Sequence, residues 1–205
     1  MDLTQGSGGG LKRSVSARVE PGSHPGTWTV TFESQAVPGT LAVFAGTLAL
    51  TGLDIISAMV RTSPGAVTDI FDVMPLGGTA LDRIDAERLS QHATEALEGR
   101  RDLAGELRTL RRSSGERAGQ APRVETTTDS SLTTGINVVA PDRAGLLYDI
   151  ASTLTAHGLR TRSLSALTFN GHAHDTFRVV DALGKPPQEL LVLSRLQAAL
   201  VRACS

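Results

Sequence analysis

Shifted by 106 positions, the chain lies over itself. Identities fall at Gly39/Gly145, Leu41/Leu147, Ala45/Ala151, Thr47/Thr153, Leu48/Leu154, Gly52/Gly158 and Leu53/Leu159. They continue at Ser57/Ser163, Thr62/Thr168, Gly65/Gly171, Asp69/Asp175, Phe71/Phe177 and Val73/Val179, giving 13 matches in 35 positions without a gap. Self-similarity at a fixed offset marks a repeated structural unit. The 205 residues must therefore be shared by two copies of one module. Each copy is then a domain of about 100 residues, enough for a small core.

Both copies have the same local grammar. Trp28, Val30 and Phe32 alternate with threonines, the period of a half-buried strand, and Ile136 and Val138 take matching places. After a glycine turn, Leu41, Phe44, Ala45 and Leu48 recur at helical spacing, as do Leu147, Ile150, Ala151 and Leu154. Gly52 and Gly158 stand where a helix would end, and glycine tolerates the left-handed conformation of a C-terminal cap. Two strand-like runs follow in each copy, 53–62 with 66–74 and 159–168 with 172–180. Ser63-Pro64-Gly65 and Asn170-Gly171 separate them, and Asn-Gly favours a hairpin turn. A second helix closes each copy, one from near Asp82 to Leu97, the other from near Gln188 with Leu193, Leu196, Leu200 and Ala203 on one face.

The order strand, helix, strand, strand, helix is one strand short of a ferredoxin-like βαββαβ module. The missing strand is sought upstream, where Arg18-Val19-Glu20 and Arg123-Val124-Glu125 precede the two copies. Val15, Ala17 and Val19 alternate as a strand would. The expectation is that the Val124 strand completes the first sheet and the Val19 strand the second, interlocking the modules. The fold class is thus α+β, two tandem ferredoxin-like modules that exchange their fourth strands. The expected divisions are a flexible terminus over 1–12, a first module over 13–98, a helical extension and linker over 99–122, and a second module over 123–205. Leu103, Leu107 and Leu110 give the extension its helical spacing.

Composition narrows the function. The formal charge is −1 and only seven residues are aromatic, which disfavours nucleic acid by electrostatics and by base stacking. One cysteine, Cys204, excludes an internal disulfide and a thiolate metal cluster, and it is expected at a frayed end without an activating partner. Nothing approaches the roughly 18 uninterrupted apolar residues of a membrane span, and the first residues carry no signal-peptide pattern. A cytoplasmic protein with no membrane partner is the expectation.

The stretch Ala140-Pro141-Asp142-Arg143-Ala144-Gly145-Leu146-Leu147-Tyr148-Asp149-Ile150-Ala151 resembles the strand-to-helix signature of an ACT domain. With Asp175-Thr176-Phe177-Arg178-Val179-Val180-Asp181, Gly184-Lys185-Pro186 and Arg123-Val124-Glu125, it is similar to the C-terminal ACT repeats of the bacterial PII-protein uridylyltransferase/uridylyl-removing enzyme family. The likeness covers roughly residues 25–205. The resemblance implies a stand-alone regulatory part that binds a small amino-acid effector, glutamine first, and it makes a homodimer or a regulated protein partner plausible. It implies no catalysis, because that family's nucleotidyltransferase and HD hydrolase domains have no room here. An interaction scaffold without a ligand is the alternative, and uridylyl transfer or removal is disfavoured.

Two turns are the candidate ligand sites. In the second copy they are Asp142, Arg143, Ala144, Gly145, Leu146 and Leu147; in the first, Val37, Pro38, Gly39 and Thr40. A helix opening after Gly145 presents unpaired amides and the positive end of its dipole, which suit a carboxylate. Arg143 could meet an anionic group and Asp142 an ammonium. Equally, Asp142 could only cap the turn, Arg143 be solvated and Gly145 make the bend. The first copy has Gln35-Ala36-Val37-Pro38-Gly39 there, without the charged pair. Asp69 and Asp175 alternate with Phe71 and Phe177 and so aim at the apolar side, where they are expected to bond the amides of the preceding turn. His172 and His174 share one strand face but lack a visible third ligand, so no metal and no cofactor are expected. Arg100, Arg101, Arg108, Arg111, Arg112 and Arg117, mixed with acids, read as a solvated helix face.

Overall fold

The computed structural model describes residues 14–76, 83–114, 120–128 and 131–205. The expected flexible terminus over 1–12 lies outside them, as do Asp82 and part of the expected linker. The first module contains β1 (Ser16–Pro21), β2 (Trp28–Gln35), α1 (Thr40–Leu50), β3 (Leu53–Ser63), β4 (Ala66–Pro75) and α2 (Ala86–Leu97). After α3 (Leu103–Ser114), the second repeats the order with β5 (Arg123–Thr127), β6 (Thr134–Pro141), α4 (Leu146–Ala156), β7 (Arg160–Phe169), β8 (His172–Val180) and α5 (Leu190–Cys204). The strands form one antiparallel sheet in the order β1-β2-β4-β3-β7-β8-β6-β5.

That order corrects the expected strand exchange. The Val19 strand pairs with β2 of its own module, and the Val124 strand with β6 of its own. Each occupies the place of the fourth ferredoxin strand but enters it from the N-terminal side. The physical reason is locality. Gly22 N–H donates to Thr27 O at 2.9 Å and closes a short connection, so β1 and β2 form a hairpin. Exchange would require closing a loop as long as a whole module, at a greater entropic cost. The modules' own helices also hold these edge strands. Val15 and Ala17 N–H groups donate to Thr94 Oγ1 and Ser90 Oγ of α2, at 3.2 and 2.8 Å. Gln197 Nε2 on α5 donates to Val124 O at 3.4 Å. Such cover blunts a sheet edge.

The modules are joined by β3 and β7. Their register pairs Ser57 with Leu167, Ala58 with Ala166 and Met59 with Ser165. Met59 and Ser165 are equivalent at the repeat offset, so a pseudo-two-fold axis passes between them. Side-chain bonds obey the same symmetry: Thr62 Oγ1 donates to Thr161 O at 3.4 Å and Thr168 Oγ1 to Ile55 O at 3.3 Å. Both modules carry an equivalent register shift, at Ile55/Ser57 and at Thr161/Ser163. A bulge there bends the strand and re-aims its side chains.

The core is continuous across the seam. Phe32, Phe44, Phe71, Ile136, Ile150 and Phe177 are all fully excluded from solvent, and they lie in one apolar cluster with Leu48, Leu154 and Leu196. In β4, Val67, Asp69, Phe71 and Val73 are buried and alternate with more exposed residues; Ala173, Asp175, Phe177 and Val179 do so in β8. The opposite sheet face keeps Met59, Leu167 and Phe169 exposed.

Two expectations about helices change. The 103–114 segment does not extend α2. Gly99 at φ 73° ends that helix in the left-handed region, and α3 begins separately, with buried Leu103 and Leu107. Cys204 is not frayed but belongs to α5 and the core at 3% exposure. Burial pushes its thiol up to about 11, so it is a poor nucleophile. Among the described residues, no helix is long and apolar enough to cross a membrane.

Candidate functional site

All ten candidate residues line clefts between the modules, but the two turns do not share a cleft. The Gly39 cleft takes Val37, Pro38, Gly39 and Thr40 from its turn, Thr62 and Asp69 from β3 and β4, and Thr155, Arg160, Thr161 and Arg162 from the second module. It encloses about 680 Å³, open mouth included. The Gly145 cleft takes all six residues from Asp142 to Leu147, Ala173 and Asp175 from β8, and Ala45, Ala49, Asp54 and Ile55 from the first module. It encloses about 450 Å³ on the same measure. The pseudo-two-fold axis produces this arrangement, since each module's turn faces the other module's bulged strand.

Both turns open a helix as the sequence predicts. Gly39 at φ 86° and Gly145 at φ 74° are the N-caps of α1 and α4, and neither helix has a side-chain cap. The N-cap of α4 is thus Gly145 and not Asp142, whose N–H donates to Gly171 O at 2.9 Å. A left-handed residue is needed at each position, which is why glycine stands there. The surroundings of the two glycines differ. A Cβ on Gly39 would meet only Thr155 Cγ2, at 3.8 Å. On Gly145 it would meet Arg111 Nη2 at 2.9 Å and Leu107 Cδ2 at 3.1 Å. Helix α3 thus lies against the start of α4.

The charges differ as well. Asp149, in the first turn of α4, bridges two arginines: Arg111 Nη2 reaches its Oδ1 at 2.9 Å and Arg143 Nη1 its Oδ2 at 2.7 Å. Arg143 Nη2 also donates to Ala203 O of α5 at 2.6 Å, and Arg111 Nη2 to Gly145 O at 3.3 Å. Arg143 is therefore not a solvated side chain; it ties α4 to α5. Arg111 has left the expected solvated face, and so has Arg101, which is 19% exposed and paired with Glu106 at 2.6 Å, while Arg100, Arg108 and Arg112 stay exposed. At the repeat offset, Asp149 corresponds to Val43 and Arg143 to Val37, so the first module lacks this network.

Across the Gly39 cleft stand Arg160 and Arg162. Arg160 Nη2 donates to the carbonyls of Asp181 and Ala182 at 3.3 and 2.6 Å, which orients it without neutralising it. Their equivalents in the first module are Asp54 and Ile56, a reversal of charge at 160/54. Reading the two turns alone missed these cross-module residues. The charge reversal at a fixed offset was the available signal.

Asp69 and Asp175 face the core side as expected, but the expected amide bonds fail for Asp69. It lies fourth in β4, is 0% exposed, and neither carboxylate oxygen has a hydrogen-bond partner. The register explains why: β4 is paired on both sides, with β2 and β3, so the neighbouring amides are spent in the ladder. Burial pushes the Asp69 carboxyl up to about 8. Burial and then the Asp142 charge push Asp175 up to about 7. His174 is exposed and His172 half-buried, and no three-ligand group suited to a metal occurs among the described residues.

The glycine environments give a direct comparison. Gly39→Ala should cost about 1–2 kcal/mol, the strain of a left-handed alanine. Gly145→Ala should cost more, because Arg111 and Leu107 must also move while Arg111 holds Asp149. Urea unfolding of the two variants measures the difference, and equal costs would show that α3 yields freely.

No protein-family model matches the chain. Several curated proteins do match, each named "bifunctional uridylyltransferase/uridylyl-removing enzyme". The one from Gluconobacter oxydans is 33% identical over 80% of this chain, which covers 18% of that protein. The one from Xanthomonas oryzae pv. oryzae is 35% identical over 74% of this chain and 17% of its own length. That of Rhodospirillum rubrum is 29% identical over 93% of the chain and 21% of its own length. The chain is thus homologous to one segment of this enzyme, in agreement with the resemblance to its C-terminal region, and spans about a fifth of the length of these relatives.

Proposed function

We propose that this chain, homologous to a fifth of a uridylyltransferase/uridylyl-removing enzyme, is a regulatory ACT module that binds a small amino-acid effector between its two halves. The observation that carries this reading is the paired clefts. Each brings the start of a helix, which offers unpaired amides and a positive dipole end, against a buried carboxyl and the facing module. A carboxylate suits the helix start, and an ammonium suits the carboxyl. Because the ligand would touch both modules, binding would favour one relative arrangement over others, provided its affinity differs between them. Glutamine is the first candidate, from the resemblance. The relatives' name describes uridylyl transfer and removal, and we assign no catalytic step to this fifth of their length.

Isothermal titration of the folded chain with glutamine, then with the other protein amino acids, tests the reading. Saturable binding is expected. A bound effector at a hundredfold excess over its Kd should also raise stability by about 2.7 kcal/mol. Silence across the whole panel would remove the sensor reading. The interaction scaffold would then stand, drawing on the exposed Met59, Leu167 and Phe169 of the uncovered sheet face.

A further inference from the structure

We propose that the two clefts are not equivalent: the Gly39 cleft takes one zwitterionic amino-acid ligand per chain, and the smaller Gly145 cleft is a structural joint. The inference rests on the ligand-binding reading above and specifies which site performs it. It runs against the motif, since the turn with the recognisable Asp-Arg pair is the one assigned no ligand.

Three observations carry it. The first is access. The start of α4 is backed by Leu107 and Arg111 of α3, whereas only Thr155 approaches Gly39. The second is charge. The Gly145 cleft is lined by Asp54, Asp142 and Asp175, and its one arginine is already held by Asp149 and Ala203 O. An incoming carboxylate meets net repulsion there. The Gly39 cleft sets Arg160 and Arg162 against a single acid, Asp69, and Arg162 has no carboxylate partner among the described residues. The third is the unmet bonding of Asp69. A fully buried carboxyl with neither oxygen bonded costs free energy unless a partner arrives. An ammonium reaching it from the cleft supplies that partner, while Arg160 or Arg162 and the first amides of α1 receive the carboxylate. A ligand with both charges, a short distance apart, fits the two ends together.

The Arg111–Asp149–Arg143 network joins α3, α4 and α5, and its members within the repeat, Asp149 and Arg143, have Val43 and Val37 as equivalents in the first module. What ties the helices together beside one cleft is thus absent from the other.

Titration calorimetry of the full chain with L-glutamine and the other protein amino acids, repeated with the N-acetyl form of whichever binds, decides the matter. The expected stoichiometry is one per chain. N-acetylation, which removes the ammonium, should abolish binding. Arg162→Ala, an exposed position whose change should not affect folding, and Asp69→Asn should each weaken binding by about tenfold or more. His174→Ala, on the uncovered sheet face, should stay within about twofold. Two ligands per chain would overturn the inference, as would one ligand that Arg143→Ala releases while Arg162→Ala does not. Either result leaves the sensor reading standing. Binding of no amino acid removes that reading, and this inference with it.

Discussion

Replacing Asp69 with asparagine will remove roughly half of a loss of stability that the unaltered chain shows as pH rises from about 4 to about 8. The sign follows from linkage. In the folded chain burial holds the Asp69 carboxyl neutral up to about 8, while in the unfolded chain it ionises near the ordinary value of 3.8. Below the unfolded value both states are protonated and the folded state bears no penalty. As pH rises the unfolded state releases its proton and gains stability, while the folded state cannot follow until pH passes its own raised value. Each pH unit in that window costs at most about 1.4 kcal/mol, and local relaxation lowers it, so Asp69 accounts for a loss on the order of 3 kcal/mol. Asp175, pushed up to about 7, contributes the remainder over a narrower window. Urea unfolding at a series of pH values reads both, and Asp69→Asn should leave the slope of Asp175 alone. Parallel curves for variant and parent would mean that water or a moved partner reaches Asp69.

The second large effect is expected at Phe32. Its ring stacks on Phe44 at 4.5 Å between centroids, with planes 12° apart, and meets Phe71 edge-on at 6.1 Å. All three rings are fully buried. Phe32→Ala leaves a ring-sized void under α1 and should cost about 3–5 kcal/mol from lost transfer and the residual cavity. The lost aromatic pairing, worth about 0.5–1.5 kcal/mol for each contact, is part of that cost and places it toward the upper end. The second module holds Val138 and Ile150 at the equivalents of Phe32 and Phe44, so the same position carries less there. Val138→Ala should be the milder change, at about 1–2 kcal/mol. Because the core is continuous across β3 and β7, unfolding should remain a single transition in both variants. A separate early transition of the first module would show that the seam does not couple the halves.

Much of the candidate site was legible in the sequence. Gly39 and Gly145 stood one repeat apart before helical spacing began, and both are left-handed caps at helix starts. Asp69 and Asp175 alternated with phenylalanines, and both are buried on the helix side of the sheet. The partners of these residues were not legible. Arg160 faces Gly39 across more than a hundred positions, and Arg111 reaches Asp149 from a helix that the spacing alone joined to its predecessor. Such meetings depend on where the modules dock, which no local period encodes.

The sequence by itself determined the duplication, the module grammar and the turns, because side-chain periodicity and glycine's left-handed freedom are local properties of a chain. Only the tertiary structure decided that each early strand stays in its own module and that β3 meets β7 about a pseudo-two-fold axis. It also made the two clefts unequal. Those outcomes are set by loop-closure cost, by burial of unpaired charge and by which helix packs over which turn, and these are energies of the assembled molecule.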